Sequence, residues 1–386
     1  MSRLDELIAE LCPDGVEHKR LSDVTTVARG KRVVKKELSQ TDGYPVYQNS
    51  LTIMGYYTDT NYPADTTFVI GAGAAGEIGY SSEDFWAADD CFPVPGNNEI
   101  LDRFIFHVLL WKKDCLSSRV RKASIPRLSR SVIEELVIPV PPLEVQREIV
   151  RILDNFTELT AELTAELTAR KKQYEYYRDE LLKPQESIPM VTLKEISTSI
   201  YRGAGIKRDQ VTEDGIPCVR YGEIYTTYNT WFDECVSHTK EEYVSSPKYF
   251  EHGDILFAIT GESVEDIAKS IAYVGHDKCL AGGDIVVMKH QQNPRYLAHV
   301  LNTSMAREQK SKGKVKSKVV HSNVPSIEQI RIPLPSLEVQ KRYADVLDNF
   351  EQICNDLNIG LPAEIEARQK QYEYYRDKLL TFKQLA

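Results

Sequence analysis

The chain has 386 residues, of which 42% are apolar and 9% aromatic, so it is long enough for two domains with substantial cores. Its net charge of −9, taken alone, argues against a nucleic-acid partner. The acidic N-terminal stretch is too poor in apolar residues for a signal peptide, and no apolar run approaches the roughly 20 residues of a membrane span.

The predicted elements of the first half begin with an amphipathic helix over residues 4–11. Short β-like runs follow at Tyr44–Tyr47 and Thr66–Ile70, among glycine and asparagine turns, and Asp102–Trp111 has a helical pattern. This mixture predicts an α+β domain. The seven cysteines of the chain are scattered without a CxxC pair, which predicts reduced thiols in the cytoplasm and argues against a zinc site.

The segment Gly71–Gly76 matches the glycine fingerprint G-x-G-x-x-G of dinucleotide-binding folds. That site also needs a helix that opens at the third glycine, so that the helix N-terminus meets phosphate. Here the turn-prone and acidic residues 77–84 follow instead. We therefore interpret the glycines as a turn, with a nucleotide site as the weaker alternative.

Residues Leu143–Leu182 form a long regular pattern around which the chain is organised. The stretch follows the rigid run 138–142, ends before Pro184, and contains no glycine or proline. Apolar residues recur mostly three or four positions apart. This spacing predicts one amphipathic helix, roughly 58 Å long at about 1.5 Å per residue.

A second copy of this pattern occupies Leu337–Leu380 and repeats LEVQ, LDNF and QYEYYRD letter for letter. The copies are 194 residues apart at LEVQ and 198 apart at QYEYYRD. The second copy contains Gly360 and Pro362, so we expect its helix to break there. The globular segments before the two copies are also related, but the second has 17 extra residues within 222–252. Such divergence is typical of variable recognition loops on a shared scaffold.

The repeat predicts an α+β molecule of two pseudo-twofold related globular domains, joined by two long helices that pack as an antiparallel coiled coil. The predicted segments are a first domain with a short N-terminal helix (1–142), a central helix (143–183), a second domain (184–336) and a C-terminal helical region (337–386). The predicted core of the helix bundle consists of Ile149, Leu153, Phe156, Leu163, Leu167, Tyr174, Tyr177, Leu347, Phe350, Tyr372 and Tyr375.

Two tandem tetrads, Thr160–Leu163 and Thr164–Leu167, lie inside the first long helix. Their residues are mostly good helix formers, which is the simple explanation for them. A whole tetrad can also be gained or lost without ending the helix. We therefore interpret Thr160, Leu163, Thr164 and Leu167 as a device that sets the length of the helix.

The familiar catalytic motifs are missing from the sequence. It contains no GxxxxGK[ST] loop, HExxH, GxSxG or Asn/Asp-Pro-Pro-Tyr/Phe tetrapeptide, and its eight histidines show no catalytic or metal-ligand spacing. We predict no catalytic residue and no metal ligand on this chain, and a binding function.

Positive charge is concentrated in four segments at repeat-related positions. Residues 112–130 carry a net charge of +6 and residues 307–320 one of +5, each just before a long helix, and smaller basic groups lie at 29–36 and 202–208. A solvated surface explains any one such run equally well, but four in matching places favour contacts with phosphate. The predicted DNA-binding residues are Arg29, Lys31, Arg32, Arg119, Arg121, Lys122, Arg127, Arg202, Lys207, Arg208, Lys310, Lys312, Lys314, Lys316 and Lys318.

The two helical copies, with their IPVPPLEVQ and IPLPSLEVQ beginnings, resemble the conserved regions of specificity subunits of type I restriction-modification systems, over essentially the whole chain. The resemblance implies two target-recognition domains, each reading one half of an asymmetric bipartite site in double-stranded DNA. It implies two methyltransferase subunits docked on this chain, giving an adenine-N6 methyltransferase. Two further ATP-driven motor-nuclease subunits would give the restriction enzyme. S-adenosylmethionine, ATP and Mg²⁺ would be bound by those partners and no cofactor by this chain, in the bacterial or archaeal cytoplasm at the nucleoid.

Two alternatives remain at this point. The chain could be a stand-alone or methylation-only DNA recognition protein, which the neighbouring genes would decide. It could instead be a coiled-coil scaffold that does not bind DNA, which binding assays with bipartite duplexes would decide. The bases recognised do not follow from the sequence, because readout depends on which side chains meet which base edges.

Overall fold

A computed structural model of the protein describes residues 3–312, 319–355 and 360–385. The chain divides into two compact units. The first unit combines Met1–Thr164 with Ala363–Ala386, and the second is the continuous stretch Ala165–Pro362. Each unit therefore contains one globular segment together with parts of both long helical regions. The functional division into four segments predicted above stays a prediction.

The helices alternate with short strands in each unit. In chain order they are α1 (Arg3–Leu11), α2 (Leu21–Val24), α3 (Asp102–Trp111), α4 (Lys113–Ser118), α5 (Arg130–Glu134), α6 (Leu143–Leu181), α7 (Leu193–Ile196), α8 (Tyr221–Thr226), α9 (Pro294–Leu301), α10 (Ser304–Ser311), α11 (Val324–Glu328), α12 (Leu337–Asn355) and α13 (Gly360–Leu380). None of these described helices is both long enough and apolar enough to cross a membrane.

The strands are short. They are β1 (Glu17–Arg20), β2 (Tyr44–Tyr47), β3 (Tyr56–Tyr57), β4 (Thr66–Ile70), β5 (Ile78–Ser81), β6 (Trp86–Ala87), β7 (Cys91–Val94), β8 (Val137–Val140), β9 (Met190–Thr192), β10 (Ser197–Arg202), β11 (Val211–Thr212), β12 (Ile216–Val219), β13 (Trp231–Phe232), β14 (Ser237–Thr239), β15 (Tyr249–Phe250), β16 (Ile255–Ala258), β17 (Thr260–Gly261), β18 (Ser270–Tyr273), β19 (Cys279–Ala281), β20 (Ile285–His290), β21 (Val320–His321) and β22 (Arg331–Pro333).

In the first unit, the fully buried strand β4 lies between β5 and β7 in an antiparallel sheet. Strand β2 pairs with β3 and, in parallel, with β6, and β1 pairs with β8 just before α6 begins. Helix α3 contributes Phe104, Ile105, Val108 and Leu109 to the core of this unit. The predicted mixed helix and sheet content and the predicted elements around residues 4–11, 44–47, 66–70 and 102–111 are confirmed.

The second unit contains two five-stranded sheets, ordered β10-β20-β16-β18-β13 and β11-β14-β12-β19-β15. The pairs β16–β18 and β12–β19 correspond to β4–β5 and β2–β6 of the first unit. The predicted insertion at 222–252 contains β13, β14 and β15, which extend these sheets. The 17 additional residues therefore enlarge the second unit at its sheets and leave the helical region unchanged.

The first long helix, α6, runs unbroken from Leu143 to Leu181, as predicted from its lack of glycine and proline. In the second copy, α12 ends at Asn355 and α13 begins at Gly360, while residues 356–359 lie outside the described part of the chain. The predicted break in the second copy is confirmed, and Gly360 and Pro362 lie at the start of the helix that follows it. This proline lies in the first turn of α13, where its missing N–H costs no helical hydrogen bond.

The repeated LEVQ motif attaches each long helix to its globular segment through a buried glutamine. Gln146 Nε2 donates to the carbonyls of Glu99 and Pro141, both at 2.8 Å, and its Oε1 accepts from the Leu101 N–H at 2.9 Å. Gln340 likewise bonds to Pro335 and Asn293 in the second unit. Because a buried amide must satisfy its donors and acceptor, the start of each helix is held in one place.

The predicted bundle core is only partly confirmed. Ile149 and Leu153 are fully buried, and Leu347 is 2% exposed, but each packs into the core of its own unit. Leu163, Leu167, Tyr174 and Tyr372 are half-buried. Within the second unit α6 and α12 are antiparallel, since Tyr174 lies near Asp348 whereas Arg170 and Lys171 lie near Cys354.

Three aromatic residues of the predicted core are exposed instead. Tyr177 is 49% exposed and Phe350 is 45% exposed, so they are not core residues. Tyr375 is 39% exposed, although its ring stacks on Phe156 at a centroid distance of 5.3 Å. Apolar spacing alone overestimated the buried stripe, because the helices bury their ends against the globular segments.

Candidate nucleic-acid interface

An Arg-Gly pair opens a basic turn at the same place in each unit. A Cβ on Gly30 would lie 2.1 Å from the Ala88 carbonyl oxygen, and one on Gly203 would lie 2.2 Å from that of Gly282, so both positions require glycine. Arg29 Nε donates to the Asp89 carbonyl at 3.3 Å. Arg202 donates to the Gly283 carbonyl and forms an ion pair with Asp284 at 2.7 Å.

A short 3-10 turn follows each pair, at Lys35–Glu37 and Arg208–Gln210. The Glu37 carboxylate accepts from the Val34 N–H at 3.0 Å, and the Gln210 amide oxygen accepts from the Lys207 N–H at 2.8 Å. The turns are thus closed by their own side chains. Their basic residues face solvent: Lys31, Arg32, Lys35 and Lys36 in the first unit, Lys207 and Arg208 in the second.

The predicted basic segment of the first unit forms a tight loop. The backbones of Arg121 and Arg127 exchange two hydrogen bonds, of 2.8 and 3.1 Å. Just beyond it, the Leu128 N–H donates to the Gly71 carbonyl at 2.8 Å, and the Gly71 N–H donates to the Asp90 carbonyl at 2.6 Å. Gly71 therefore joins the basic loop to the segment that Arg29 contacts, and the two basic segments lie next to each other.

This arrangement also explains the G-x-G-x-x-G motif. Residues 71–76 form the turn between the antiparallel strands β4 and β5, and no helix starts at Gly76. Gly73 and Gly76 adopt positive φ values of 82° and 89°, which favour glycine. The turn supports the basic loop through Gly71 and the bridge between Ala72 and Arg127, so the interpretation as a turn is confirmed.

The second unit repeats the backbone connection. The Ile259 N–H donates to the Asp284 carbonyl at 2.9 Å, and the Ser322 N–H donates to the Ile259 carbonyl at 2.8 Å. These residues correspond to Gly71, Asp90 and Leu128. Lys312 is exposed at the end of α10. The predicted residues Lys314, Lys316 and Lys318 lie outside the described residues.

Lys310 does not belong to this surface, contrary to the prediction. It is 4% exposed, and its Nζ donates to Ser270 Oγ and to the Leu301 carbonyl, both at 2.7 Å. Burial, with repulsion from Arg307 and Arg178, lowers the pKa of Lys310 well below its usual value. The lysine at the helix end points inward because it bonds the C-terminal carbonyl of the neighbouring helix α9.

Most of the remaining predicted cations are available to a ligand. The ion pairs found in the basic segments join Lys113 to Glu77, Arg130 to Glu134 and Arg202 to Asp284. Within the described residues, no carboxylate pairs with the following exposed predicted cations: Arg29, Lys31, Arg32, Arg119, Arg121, Lys122, Arg127, Lys207, Arg208 and Lys312. An exposed group of unpaired cations is the electrostatic pattern of a phosphate-binding surface.

Two residues in each unit that the sequence did not single out lie beside this surface, just after the equivalent strands β2 and β12. In the first unit they are Gln48 and Asn49, and in the second unit Arg220 and Tyr221. Arg220 and Tyr221 line a cleft of about 580 Å³ together with Arg208. Only their position at the end of a predicted strand could have indicated them.

Arg220 is held in position by a buried carboxylate. Its Nε donates to Glu223 Oε1 at 2.9 Å, and Ser237 Oγ donates to the same oxygen at 2.7 Å. The Glu223 side chain is 8% exposed and that of Arg220 is 33% exposed. The guanidinium is thus fixed at one edge while its other edge reaches the cleft. Such a fixed arginine can donate two parallel hydrogen bonds to a base edge or a phosphate.

In the part of the chain that the structure describes, the donor atoms of His299, Asp348 and Glu351 lie close enough together to hold a metal ion. Their donor atoms are already used. His299 bonds Tyr174 and Asp348, Trp231 Nε1 donates to Asp348 at 2.9 Å, and Thr230 Oγ1 donates to Glu351 at 2.6 Å. We therefore interpret the group as a hydrogen-bond network.

Known protein families and known proteins include relatives of this chain. The model of the type I restriction modification DNA specificity domain matches the chain twice, at residues 13–170 and 186–367. A putative type I restriction enzyme specificity subunit of Haemophilus influenzae is 29% identical over 385 residues, which is 95% of this chain and 96% of the relative. The EcoR124I/EcoR124II specificity subunit of Escherichia coli is 30% identical over 300 residues, 74% of this chain and 72% of the relative.

Two solved structures share the fold. A chain from a structural study of the assembly and conformational transition of the type I R-M system matches with a TM-score of 0.60 at 16% identity, covering 96% of this chain and 98% of that one. The S subunit of the M. genitalium type I system matches with a TM-score of 0.54, also at 16% identity, covering 94% and 96%. The chain therefore belongs to the type I restriction-modification DNA specificity family, and it is a non-catalytic DNA specificity subunit.

Proposed function

We propose that each unit reads one half of an asymmetric bipartite DNA site and that the long helices set the distance between the halves. The observation that carries this proposal is the duplicated basic surface, built by the same backbone connections around Gly71 and Ile259. A surface of this kind tracks phosphates and fixes the register of the protein on DNA, but it carries no base information. The differing residues at the ends of β2 and β12 would supply that information.

The side chains at these strand ends suit different bases. Gln48 and Asn49 offer amides, which pair best with adenine, whereas Arg220 offers a guanidinium, which pairs best with guanine. Two half-sites of different sequence would follow from this difference.

The proposal extends to the partners. Two methyltransferase subunits would dock on this chain to form an adenine-N6 methyltransferase, and two motor-nuclease subunits would complete an ATP-dependent endonuclease in the cytoplasm. S-adenosylmethionine, ATP and Mg²⁺ would be held by those subunits. The support for this part is the family to which the chain belongs.

The salt dependence of DNA binding tests the basic surface. In the complex with methyltransferase subunits, Lys31→Ala and Lys122→Ala should each lower the slope of log affinity against log salt by about 0.9, and should weaken all duplexes alike. Lys370→Ala is the matched control, because Lys370 is paired with Glu366 on the exposed side of α13. In the second unit, charge reversal of Lys312, Lys314 and Lys316 together should have a larger effect of the same kind. Unchanged slopes in all these variants would contradict the proposed surface.

A further inference from the structure

A network of four polar side chains around a buried histidine joins the helices of the first unit. His107, on α3, is 0% exposed. Its Nε2 lies 2.8 Å from Asp154 Oδ1, and its Nδ1 lies 3.1 Å from the Tyr372 hydroxyl. Arg103, one turn earlier on α3, donates from Nε to the same Asp154 oxygen at 2.8 Å.

The second unit contains the same four residue types in the same arrangement. His299, on α9, is also 0% exposed. Its Nε2 lies 2.7 Å from Asp348 Oδ1, and its Nδ1 lies 3.1 Å from the Tyr174 hydroxyl. Arg295 forms an ion pair with Asp348. Since the surrounding globular segments have diverged, the retention of all four residues indicates a role shared by both units.

The tyrosines are exchanged between the two repeats. Each aspartate comes from the LDNF motif that follows its own globular segment. The tyrosine comes from the other copy of QYEYYRD: Tyr372 of the second copy completes the first unit, and Tyr174 of the first copy completes the second unit. Each network therefore joins one helix of a globular segment to both long helical regions.

The chemistry of the network favours one fixed orientation. Burial raises the pKa of Asp154, but hydrogen bonds from His107 and Arg103 outweigh burial and leave that pKa below its usual value, so the aspartate is ionised. The His107 Nε2–H then donates to Asp154, and Nδ1 accepts from the Tyr372 hydroxyl. Apolar contacts tolerate small rotations, whereas buried directional hydrogen bonds do not.

The orientation of α3 on the long helices also determines the orientation of the DNA-binding surface. In the first unit, Thr67 Oγ1 on the central strand β4 donates to the Asp102 carbonyl at the start of α3, at 2.8 Å. Strand β4 ends at Ile70, and the next residue, Gly71, anchors the basic loop. A rotation of α3 on the long helices would therefore carry the basic loop with it.

We propose that the two networks are positioning devices that hold each recognition surface at a fixed angle on the long helices and thereby enforce one spacer length between the half-sites. The proposal rests on the proposed function above. Tyr372, Tyr174 and the two histidines are positioning residues and touch no DNA. Loss of a network bond should relax the spacer and leave the half-site sequences unchanged.

The test uses the full chain with its methyltransferase partners, on a library of duplexes that carry both native half-sites with spacers one or two base pairs shorter or longer. Tyr372→Phe and Tyr174→Phe remove only the hydroxyl groups. Discrimination against a spacer changed by one base pair should fall about fivefold, the factor expected for one net hydrogen bond. The matched controls are Tyr374→Phe and Tyr176→Phe in the same motifs, since these tyrosines are 62% and 63% exposed.

The outcomes separate positioning from stability. The proposal is supported if the Tyr→Phe variants discriminate less against altered spacer lengths and still require both half-site sequences. Equal loss of methylation at every spacer, with a lowered melting temperature, would show that the networks only stabilise the fold. Spacer preferences identical to those of the controls would also overturn the proposal. If the wild-type complex methylates no bipartite site, the proposed function itself fails, which is a different result.

Discussion

The first and second units share a set of buried polar residues and differ in the residues they present to solvent. Gln146 and Gln340 tie the long helices to their globular segments in the same way, and the networks around His107 and His299 match. By contrast, the strand β2 is followed by Gln48 in the first unit, and the equivalent strand β12 is followed by Arg220 in the second. Sequence identity within the chain thus follows the hydrogen bonds inside each unit, and divergence follows the surface. The shared residues therefore position the globular segments, whereas the differing residues are those that we propose select the DNA sequence.

The strongest way to sharpen this comparison is to shorten the long helix and leave both globular segments intact. Deleting Thr160–Leu163 removes about 6 Å of helix and about 40° of rotation beyond a full turn. One base pair of B-DNA advances about 3.4 Å and rotates about 34–36°. The rotation matches one base pair, and local DNA bending can absorb the excess translation. We expect a spacer one base pair shorter, unchanged half-sites and complete loss of methylation at the original sites.

Methylome sequencing of the deletion strain measures this change. Thr160→Ala is the matched control, because it keeps the length of α6 and removes only a methyl group and the hydroxyl that bonds to the Phe156 carbonyl. It should leave the spacer unchanged. An altered half-site, or an unaltered spacer, would show that the tetrads do not set the distance.

Core substitutions should affect both units equally. Leu153 is 0% exposed and Leu347 is 2% exposed, so Leu153→Ala and Leu347→Ala should each lower the free energy of unfolding by about 2–5 kcal/mol. Phe350→Ala, at a side chain that is 45% exposed, should cost only about 0.5 kcal/mol. Urea denaturation measures these values. The double variant Leu153→Ala with Phe156→Ala should also lose methyltransferase assembly. Equal effects at Leu347 and Phe350 would contradict the burial described here.

Acid should weaken the second unit through a buried histidine. Burial lowers the pKa of His290 to about 4, against about 6.5 in an unfolded chain. Because the folded state disfavours the proton, stability is complete above pH 6.5 and falls as the pH decreases toward 4, by roughly 3 kcal/mol. Hydrogen exchange of the second unit as a function of pH measures the loss. His290→Gln should flatten this dependence, and an unchanged pH profile in that variant would refute the assignment.

The smallest expected effect concerns a single base pair. Arg220→Lys keeps the charge beside Glu223 but loses the fork of two parallel donors, so discrimination at one position of one half-site should fall by about 1–3 kcal/mol. Arg208→Ala, at an exposed cation in the same cleft, should weaken binding without changing the sequence read. Methylation mapping distinguishes a loss of sequence discrimination from a loss of affinity. If sequence discrimination also fell in the half-site read by the other unit, the assignment of one half-site to each unit would be contradicted.

The sequence predicted the helical framework well, because its signals are local. Helix α6 ends within one residue of the prediction, since proline runs bound a stretch free of helix breakers. The prediction wrongly placed Lys310 on the DNA-binding surface. Its burial depends on Ser270, which is distant in the sequence, and on Leu301, which belongs to another helix. The histidine networks were missed, although the spacing Arg-x-x-x-His occurs in both globular segments, at residues 103–107 and 295–299, and could have indicated them. Arg220 was missed because its orientation depends on the burial of Glu223, which accepts a hydrogen bond from Ser237 on another element.

The discontinuity of the first unit has a consequence for synthesis on the ribosome. Its last contributions are Tyr372 and the C-terminal residues near Lys383, whose carbonyl accepts from the Val16 N–H at 2.9 Å. The first unit therefore cannot complete its fold until the ribosome has translated the whole second unit. This translation takes on the order of 10–40 s at about 5–20 residues per second. The second unit, by contrast, is continuous in sequence and can complete its fold as it emerges from the ribosome. The part of the chain made first is thus completed last, and nascent chains that stop early leave that part unfinished.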